Sequence, residues 1–387
     1  MNNHKKIALR ENLWILKIIL SVGAVILTAV YCVPVMKALT QYDFSFISDD
    51  SLLLMNHTSL SQEEQMDFTV TENTTAVIPV TKETEEAQTS EEETSKTAYV
   101  YKTPEDIKAL EGEYLAAFKS TEPAGSVEEV FFRTSGATDT FQGISVRNAT
   151  ATKKPDFEML LNKGPNLKVK DKSEPVVLIF HTHTTESYLL SDNGVFYKDY
   201  KTRSTDSTRN MIRVGNEICK VLENNGIGYI HDTSTYDESY EGAYARSRVS
   251  VEKYLKEYPS ISIVLDVHRD AIYYSDTSHG KPTAEIDGKK AAQIMIITGA
   301  QEGYIKDFPY WEDNLRFALC FQKTAEDKYP GLMKPVYFCQ RKYNMDTSLC
   351  SLLLEIGTDE NTLYEEIYSG YITGQIMTEI INNNFGE

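Results

Sequence analysis

The sequence predicts an α/β fold with a mixed, mostly parallel sheet flanked by helices, preceded by one transmembrane helix and a disordered tether. Apolar strands and amphipathic helices alternate regularly from Val176 onward, which is typical of α/β domains. Three strands (VVLIF, ISIVLDV and AQIMIIT) are continuously apolar, as strands buried on both faces are. A charge-free apolar run lies near the N-terminus, which indicates a membrane segment.

Composition sets the limits for function. Hydrophobic residues make up 41% of the 387 residues, so the chain can bury a large core. Acidic residues number 57 and basic residues 39, which gives a net charge of −18. A surface this negative argues against a nucleic-acid partner, because binding phosphates requires a cationic face. Five scattered Cys do not form the spacing of a disulfide framework or a zinc knuckle.

The first element is the predicted membrane anchor, residues 13–36. Its charge-free core, 18–36, reaches roughly 29 Å as a helix, about the thickness of the bilayer hydrocarbon. Basic residues precede it, so residues 1–12 are expected in the cytoplasm and the rest of the chain outside. The alternative is a cleaved signal peptide, but no A-x-A-like site follows the run.

The second element is a tether over residues 37–98. Its segment 81–96 (TKETEEAQTSEEETSK) is rich in Glu and contains no large apolar residue. Such a composition cannot offset the entropy of ordering, so the tether is expected to be flexible. It would let the following domain reach a target at some distance from the membrane.

The remaining chain is predicted to form one catalytic domain, residues 171–387, with residues 99–170 as the N-terminal part of the ectodomain. The periodicity of apolar residues and the turn residues between them define these elements. Helices are predicted at 104–119, 208–225, 239–256, 310–328 and 361–382. Strands are predicted at 128–133, 176–180, 227–230, 261–267, 292–298, 335–341 and 350–356.

Candidate metal ligands follow two of these strands. The motif HTHTTE contains His181, His183 and Glu186 directly after one apolar strand, and His268 ends another. Ligands bind beyond the carboxyl ends of strands in open α/β sheets. The set His183, Glu186 and His268 has the two-histidine, one-carboxylate composition of a catalytic zinc site. Zinc lowers the pKa of a bound water and so supplies hydroxide.

A general base is also needed, and Glu355 is the candidate because it ends a third apolar strand after three Leu. A buried carboxylate there requires a partner or a catalytic task. Ordinary structural roles remain open for each residue alone. The two His of HTH could be a packed pair, His268 a hydrogen-bonded core residue, and Glu355 an ion-pair partner of Arg269 or Arg341. Three strand ends that each deliver one such group favour the metal site.

The chain resembles the stage II sporulation protein P family of endospore-forming bacteria. The resemblance rests on HTHTTESY (181–188), DVHRDA (266–271), SLLLEIGTDENT (351–362) and the segment 210–232, in that family's order. It implies a fold like that of zinc amidases and carboxypeptidases. It also implies cleavage of the bond between N-acetylmuramic acid and L-alanine, and endopeptidase activity on peptide cross-links. Stage II sporulation proteins D and M are the implied partners, at the sporulation septum and the engulfing membrane.

The resemblance carries over firmly to His268 and Glu355, whose local motifs match. The other ligands stay open: His181 could replace His183, and Asp206 could replace Glu186, since simpler amidases place the acid ligand at the start of the following helix. Asp206 could equally be a helix cap. Arg269 could hold a peptide carboxylate or steady the tetrahedral oxyanion. Asp270 could orient His268.

The sequence therefore predicts a membrane-anchored, zinc-dependent N-acetylmuramoyl-L-alanine amidase with peptidoglycan as substrate. Its expected location is the cell membrane, with the C-terminal domain extracytoplasmic. Two alternatives remain, a zinc carboxypeptidase acting on wall peptides, which the H-x-x-E spacing of His183 and Glu186 favours, and a wall-binding scaffold without catalysis. Intact His183, His268 and Glu355 argue against the scaffold.

Overall fold

The computed structural model describes residues 99–386. The predicted cytoplasmic segment, anchor and tether lie outside the described residues. Between residues 99 and 386, no helix combines the length and apolar composition needed to cross a membrane. Helices in this range are α1 (Asp106–Phe118), α2 (Phe157–Lys163), α3 (Met211–Asn224), α4 (Ala243–Glu257), α5 (Trp311–Lys328) and α6 (Leu363–Asn383).

Eight of the described strands form the larger sheet. They are β2 (Asp139–Phe141), β3 (Ile144–Asn148), β4 (Pro175–Phe180), β6 (Gly228–His231), β7 (Ile263–Asp270), β11 (Ile294–Gly299), β12 (Val336–Cys339) and β13 (Ser351–Thr358). Their order in the sheet is β2-β3-β12-β11-β13-β7-β4-β6. Neighbouring strands are parallel except in the pairs β2–β3 and β11–β13. The mixed, mostly parallel sheet predicted from the sequence is thus confirmed.

A second, smaller sheet was not predicted from the sequence. Its strands are β1 (Gly125–Val130), β5 (Val195–Phe196), β8 (Tyr273–Ser275), β9 (Ser278–Ile286) and β10 (Lys289–Ala292). Their order is β10-β9-β1-β5, with β8 paired to β9. Residues 99–170 supply strands to both sheets, because β1 pairs with β9 and β3 pairs with β12.

The two faces of the larger sheet differ in what they bury. One face carries the main core, which includes Ile179, Leu265 and Leu354 and is covered by helices α3, α5 and α6. The opposite face carries two smaller apolar clusters, one around Phe180 and Val251 and one around Leu353 and Phe308. The helix α4 supplies residues to the first of these clusters.

Helix starts depend on caps. The Asn210 side chain accepts a hydrogen bond from the backbone N–H of Ile212, so α3 begins at Met211 rather than at the predicted residue 208. The helix α4 begins only after Gly242, which has a left-handed backbone (φ 78°). At α6, Thr362 and Glu365 form a complete capping box, in agreement with the predicted start within two residues.

One glycine of α3 is required by close approach. A side-chain carbon added at Gly215 would lie 2.5 Å from Nε2 of His231 and 2.7 Å from Nε2 of His181. Both imidazoles are buried below the helix. Gly215 therefore allows α3 to lie directly over this histidine pair.

Gly215→Ala is expected to destabilise the full-length protein by about 1–3 kcal/mol, because the new methyl group overpacks the histidine pair. Gly112→Ala in α1 is the matched control, since no atom lies within 4 Å of its added carbon. The control should gain about 0.5–1 kcal/mol from helix propensity. Denaturant unfolding of both variants measures the difference, and equal stabilisation of the two would contradict this packing.

Candidate active site

The two histidines of the HTH motif separate because strand β4 ends at Phe180, just before them. His181 continues on the main-core side of the sheet. Its Nδ1–H donates to the Val267 carbonyl at 2.9 Å, and its Nε2 lies 2.9 Å from Nε2 of His231. Burial lowers the pKa of His181 to about 4, so the ring is neutral. With both of its ring nitrogens engaged, His181 has none to offer a metal.

His183 lies on the other side, against the end of β7. Its ring centroid is 5.2 Å from that of His268, and the two rings meet edge to face. Both rings are buried. The chain turns immediately after β4, which carries His183 across to the face that bears His268. The alternation of a regular strand, which would have kept His181 and His183 on one side, does not apply beyond Phe180.

His268 stands between two carboxylates. Its Nε2 is 2.8 Å from Oδ1 of Asp266, and its Nδ1 is 3.5 Å from Oε2 of Glu186. Burial opposes protonation of His268, but the two carboxylates outweigh it and raise the pKa of the imidazole well above its usual range. Asp266 is itself fixed by the backbone N–H and the hydroxyl of Thr182, at 2.8 and 2.7 Å.

Glu186 is held by the turn that follows β4. Its backbone N–H donates to the His183 carbonyl at 3.1 Å, and the residue forms an isolated antiparallel bridge with Arg203. Burial favours the neutral acid, but His268 and Arg269 lower the pKa of Glu186 far below the usual range. The carboxylate is therefore ionised, and it points one oxygen at His268.

Glu355 reaches this cluster through strand register. In the parallel pair β13–β7, Glu355 is the direct partner of His268, so both side chains leave the same face of the sheet about 4.8 Å apart at the backbone. The Glu355 side chain is buried, with 7% of the residue exposed. The predicted base thus lies beside the predicted ligand.

Arg269 and Asp270 have partners other than those predicted. The Arg269 side chain is 8% exposed, and its guanidinium donates to the carbonyls of Thr202 and Asp270 at 3.1 and 3.4 Å. Asp270 forms a buried ion pair with Lys334 at 2.9 Å and accepts the Ala271 N–H, so it does not orient His268. Asp266, two residues before His268 and on the same face of β7, takes that place.

Asp206, the alternative acid ligand, lies in the exposed turn before α3. Its carboxylate accepts the backbone N–H and hydroxyl of Thr208 and pairs with Arg209 at 3.0 Å. These hydrogen bonds lower the pKa of Asp206. Asp206 thus has a local, turn-forming role, and the helix-cap role considered from the sequence is wrong because Asn210 caps α3.

Two groups near the site were missed from the sequence. Asp237 places Oδ2 4.0 Å from Nδ1 of His183 and accepts the N–H and hydroxyl of Thr185. Tyr240 stacks on the His183 ring at 4.8 Å with the planes 11° apart. Both lie in the loop before α4, where no periodicity signals their position. Asp266, by contrast, could have been found, because residues i and i+2 of a strand share a face.

The distance between the His268 and Glu186 side chains fits that between two ligands of one zinc ion. Two ligand atoms of a tetrahedral zinc with bonds of about 2.1 Å lie about 3.4 Å apart. The 3.5 Å between Nδ1 of His268 and Oε2 of Glu186 fits this value, and Asp266 on Nε2 of the same ring fits the carboxylate that commonly supports a histidine ligand. Within residues 99–386, however, no three His, Cys, Asp or Glu side chains form a ready-made metal site.

Comparisons with known proteins identify the family. The sequence model of the family described as Stage II sporulation protein P (SpoIIP) matches residues 43–381. Stage II sporulation protein P of Bacillus subtilis (strain 168) is 33% identical over 217 residues, which cover 53% of this chain and 51% of that protein. The chain thus matches about half the length of this curated relative.

Similar solved structures include the N-acetylmuramoyl-L-alanine amidase AmiC2 of Nostoc punctiforme, with 9% identity and a TM-score of 0.33 over 55% of this chain and 97% of that one. The CwlD amidase from Clostridioides difficile, solved in complex with the GerS lipoprotein, has 13% identity and a TM-score of 0.34 over 54% and 99%. Scores this low do not establish a shared fold. The family match spans most of the sequence, and on that ground this chain belongs to the stage II sporulation protein P family.

Proposed function

We propose that this protein degrades peptidoglycan as a zinc-dependent N-acetylmuramoyl-L-alanine amidase and also cleaves peptide cross-links. The observation that supports this most is the convergence of His183, Glu186 and His268 at one sheet edge, with Glu355 in register beside His268. Membership of the stage II sporulation protein P family supports a role in the sporulation cell wall.

His183, Glu186 and His268 would hold the zinc ion. Bound zinc polarises a carbonyl oxygen and makes a water molecule acidic near neutral pH. Asp266 would keep His268 in one orientation through the ion pair between its Oδ1 and Nε2 of the ring, which lie 2.8 Å apart. The backbone N–H of Arg269 donates to Oε2 of Glu186 at 3.2 Å and fixes that carboxylate.

Glu355 is proposed to move the proton. Its carboxylate takes a proton from the attacking water while the water oxygen bonds to the amide carbon. It then delivers that proton to the amide nitrogen as the carbon–nitrogen bond breaks. The products are the lactyl acid and the free amine of L-alanine. The Arg269 side chain is 8% exposed and donates to two backbone carbonyls, so we assign the proton transfer to Glu355 and no step of the reaction to Arg269.

The N-terminal anchor, the extracytoplasmic location at the sporulation septum and engulfing membrane, and the partners stage II sporulation proteins D and M complete the proposal. The location and partners are what the resemblance of the sequence to this family implies. The apolar run 18–36 with basic residues before it supports the anchor. An acidic domain is not drawn to an anionic wall by charge, so an anchor and partners would supply the targeting.

Purified full-length protein is expected to release free stem peptides with intact N-terminal L-alanine from peptidoglycan. Glu355→Gln should lower the rate about 10²–10⁴-fold, because it removes the general base. Mass spectrometry of the products is the measurement. Stem peptides shortened at their carboxyl ends would instead identify a carboxypeptidase, and binding to sacculi without any release would identify a scaffold.

Zinc content is expected to follow the proposed ligand set. Elemental analysis should give one zinc per wild-type chain and almost none for His183→Ala, Glu186→Ala or His268→Ala. Asp266→Asn should bind zinc about 10–100-fold more weakly, since it loses the carboxylate that orients His268. His279→Ala is the control, because His279 stacks on Phe196 and pairs with Glu360. Full zinc content in all three ligand variants would overturn the metal site.

Deletion of residues 1–36 is expected to move the protein from the membrane fraction to the soluble fraction of sporulating cells, because the apolar run is removed. Immunoblotting of the fractions measures this. The matched control deletes residues 60–95 of the tether and keeps the apolar run, and it should stay with the membrane. Retention of both variants in the membrane would show that another segment anchors the protein.

A further inference from the structure

Two arginines lie at the site, and they differ in access to solvent. The Arg269 side chain is 8% exposed and its guanidinium donates to backbone carbonyls. The Arg203 side chain is 42% exposed. An arginine that contacts a substrate must present donors to solvent, so Arg203 is the cation of this pair that a substrate can reach.

The Arg203 guanidinium is anchored along one side. Its Nη1 donates to Oδ2 of Asp237 at 3.0 Å and lies 3.5 Å from the Thr185 hydroxyl, while Nη2 is 3.6 Å from Oε1 of Glu186. A guanidinium has five N–H donors, so these contacts leave others available. Held in this way, the group loses little further freedom when it binds an anion.

Tyr240 connects this cation to the candidate metal ligands. The Arg203 guanidinium carbon lies 5.5 Å from the centroid of the Tyr240 ring, and that ring stacks on His183 at 4.8 Å. Guanidinium, phenol and imidazole therefore form one layered stack that runs from the solvent to the site. An anion bound at the outer end would belong to the same molecule as an amide bound at the inner end.

The surrounding segment is rich in basic residues, and Arg209 and Arg213 in it are paired with carboxylates. Residues 198–213 hold five basic and two acidic residues. The basic residues are Lys198, Lys201, Arg203, Arg209 and Arg213, and Lys198 and Lys201 are exposed beside Arg203.

We propose that Arg203 binds a carboxylate on the peptide part of the substrate and so determines specificity for peptides that carry this charge. A guanidinium and a carboxylate match in a two-point, charge-assisted hydrogen bond. This inference rests on the proposed function, because it assumes that the cleaved amide lies at His183, Glu186 and His268.

The test compares two soluble muropeptides, one with free peptide carboxyls and one with all of these carboxyls amidated. With full-length protein, Arg203→Gln should raise KM for the free acid about tenfold to a hundredfold and leave kcat within about twofold. KM for the amidated substrate should change less than about threefold. Arg203→Lys, which keeps the charge and loses the two-point geometry, should fall between Arg203→Gln and the wild type.

Arg209→Gln is the matched control, since Arg209 is similarly half-exposed, belongs to the same basic segment and pairs with Asp206 and Glu113. It should leave both KM values unchanged. Thermal unfolding and zinc content of each variant are measured in parallel. An equal loss on both substrates, or a fall in kcat together with zinc content, would mean that Arg203 acts only through Glu186 and Asp237 and would overturn the inference.

Unchanged kinetics in Arg203→Gln would overturn the inference as well, while wild-type turnover would leave the proposed function standing. A wild-type protein that cleaves neither muropeptide would instead overturn the proposed function, and the inference with it. The two failures are therefore distinguishable in one set of measurements.

Discussion

The register between β7 and β13 is the constraint on which the candidate site depends. It makes His268 and Glu355 direct partners on neighbouring parallel strands, and a shift of one residue would send one of the two side chains to the opposite face. The main core on that opposite face opposes such a shift, because Val267, Leu354 and Ile356 would have to leave it. Burial of apolar side chains on one face of the sheet thus fixes the positions of His268 and Glu355 on the other face.

The face that carries the site accepts charged groups at the expense of apolar packing. Asp266, His268 and Glu355 lie there between two small apolar clusters rather than within a continuous core. Two of the buried carboxylates have hydrogen-bond donors, since Asp266 accepts from Thr182 and Glu186 accepts from the Arg269 N–H. The electrostatic order needed for binding and proton transfer is therefore built into the fold before any ligand arrives.

Much of the fold follows from the sequence because its central strands are continuously apolar and its helices are strongly amphipathic. Strands β4, β7, β11 and β13 lie within three residues of their predicted bounds, and the candidate residues 183, 186, 268 and 355 converge as expected. The small sheet was missed, since β9 and β10 alternate weakly, β9 pairs with the distant β1, and β10 pairs in turn with β9. Asp237 and Tyr240 were missed because loops have no period. His183 shows a further limit: the side-chain alternation of a strand predicts direction only as far as the strand continues, and the chain turns before His183.

The pairing of β1 with β9 and of β3 with β12 has a consequence for how the molecule matures. Ser126 pairs with Ser278, and Val146 pairs with Val336. These pairings of the early strands cannot form until nearly the whole polypeptide has been synthesised. Long-range pairing of this kind makes folding slow and leaves strand edges open to wrong partners. His268 and Glu355 lie on the larger sheet, so the candidate site would be completed late, and truncated products of interrupted synthesis would lack a formed site.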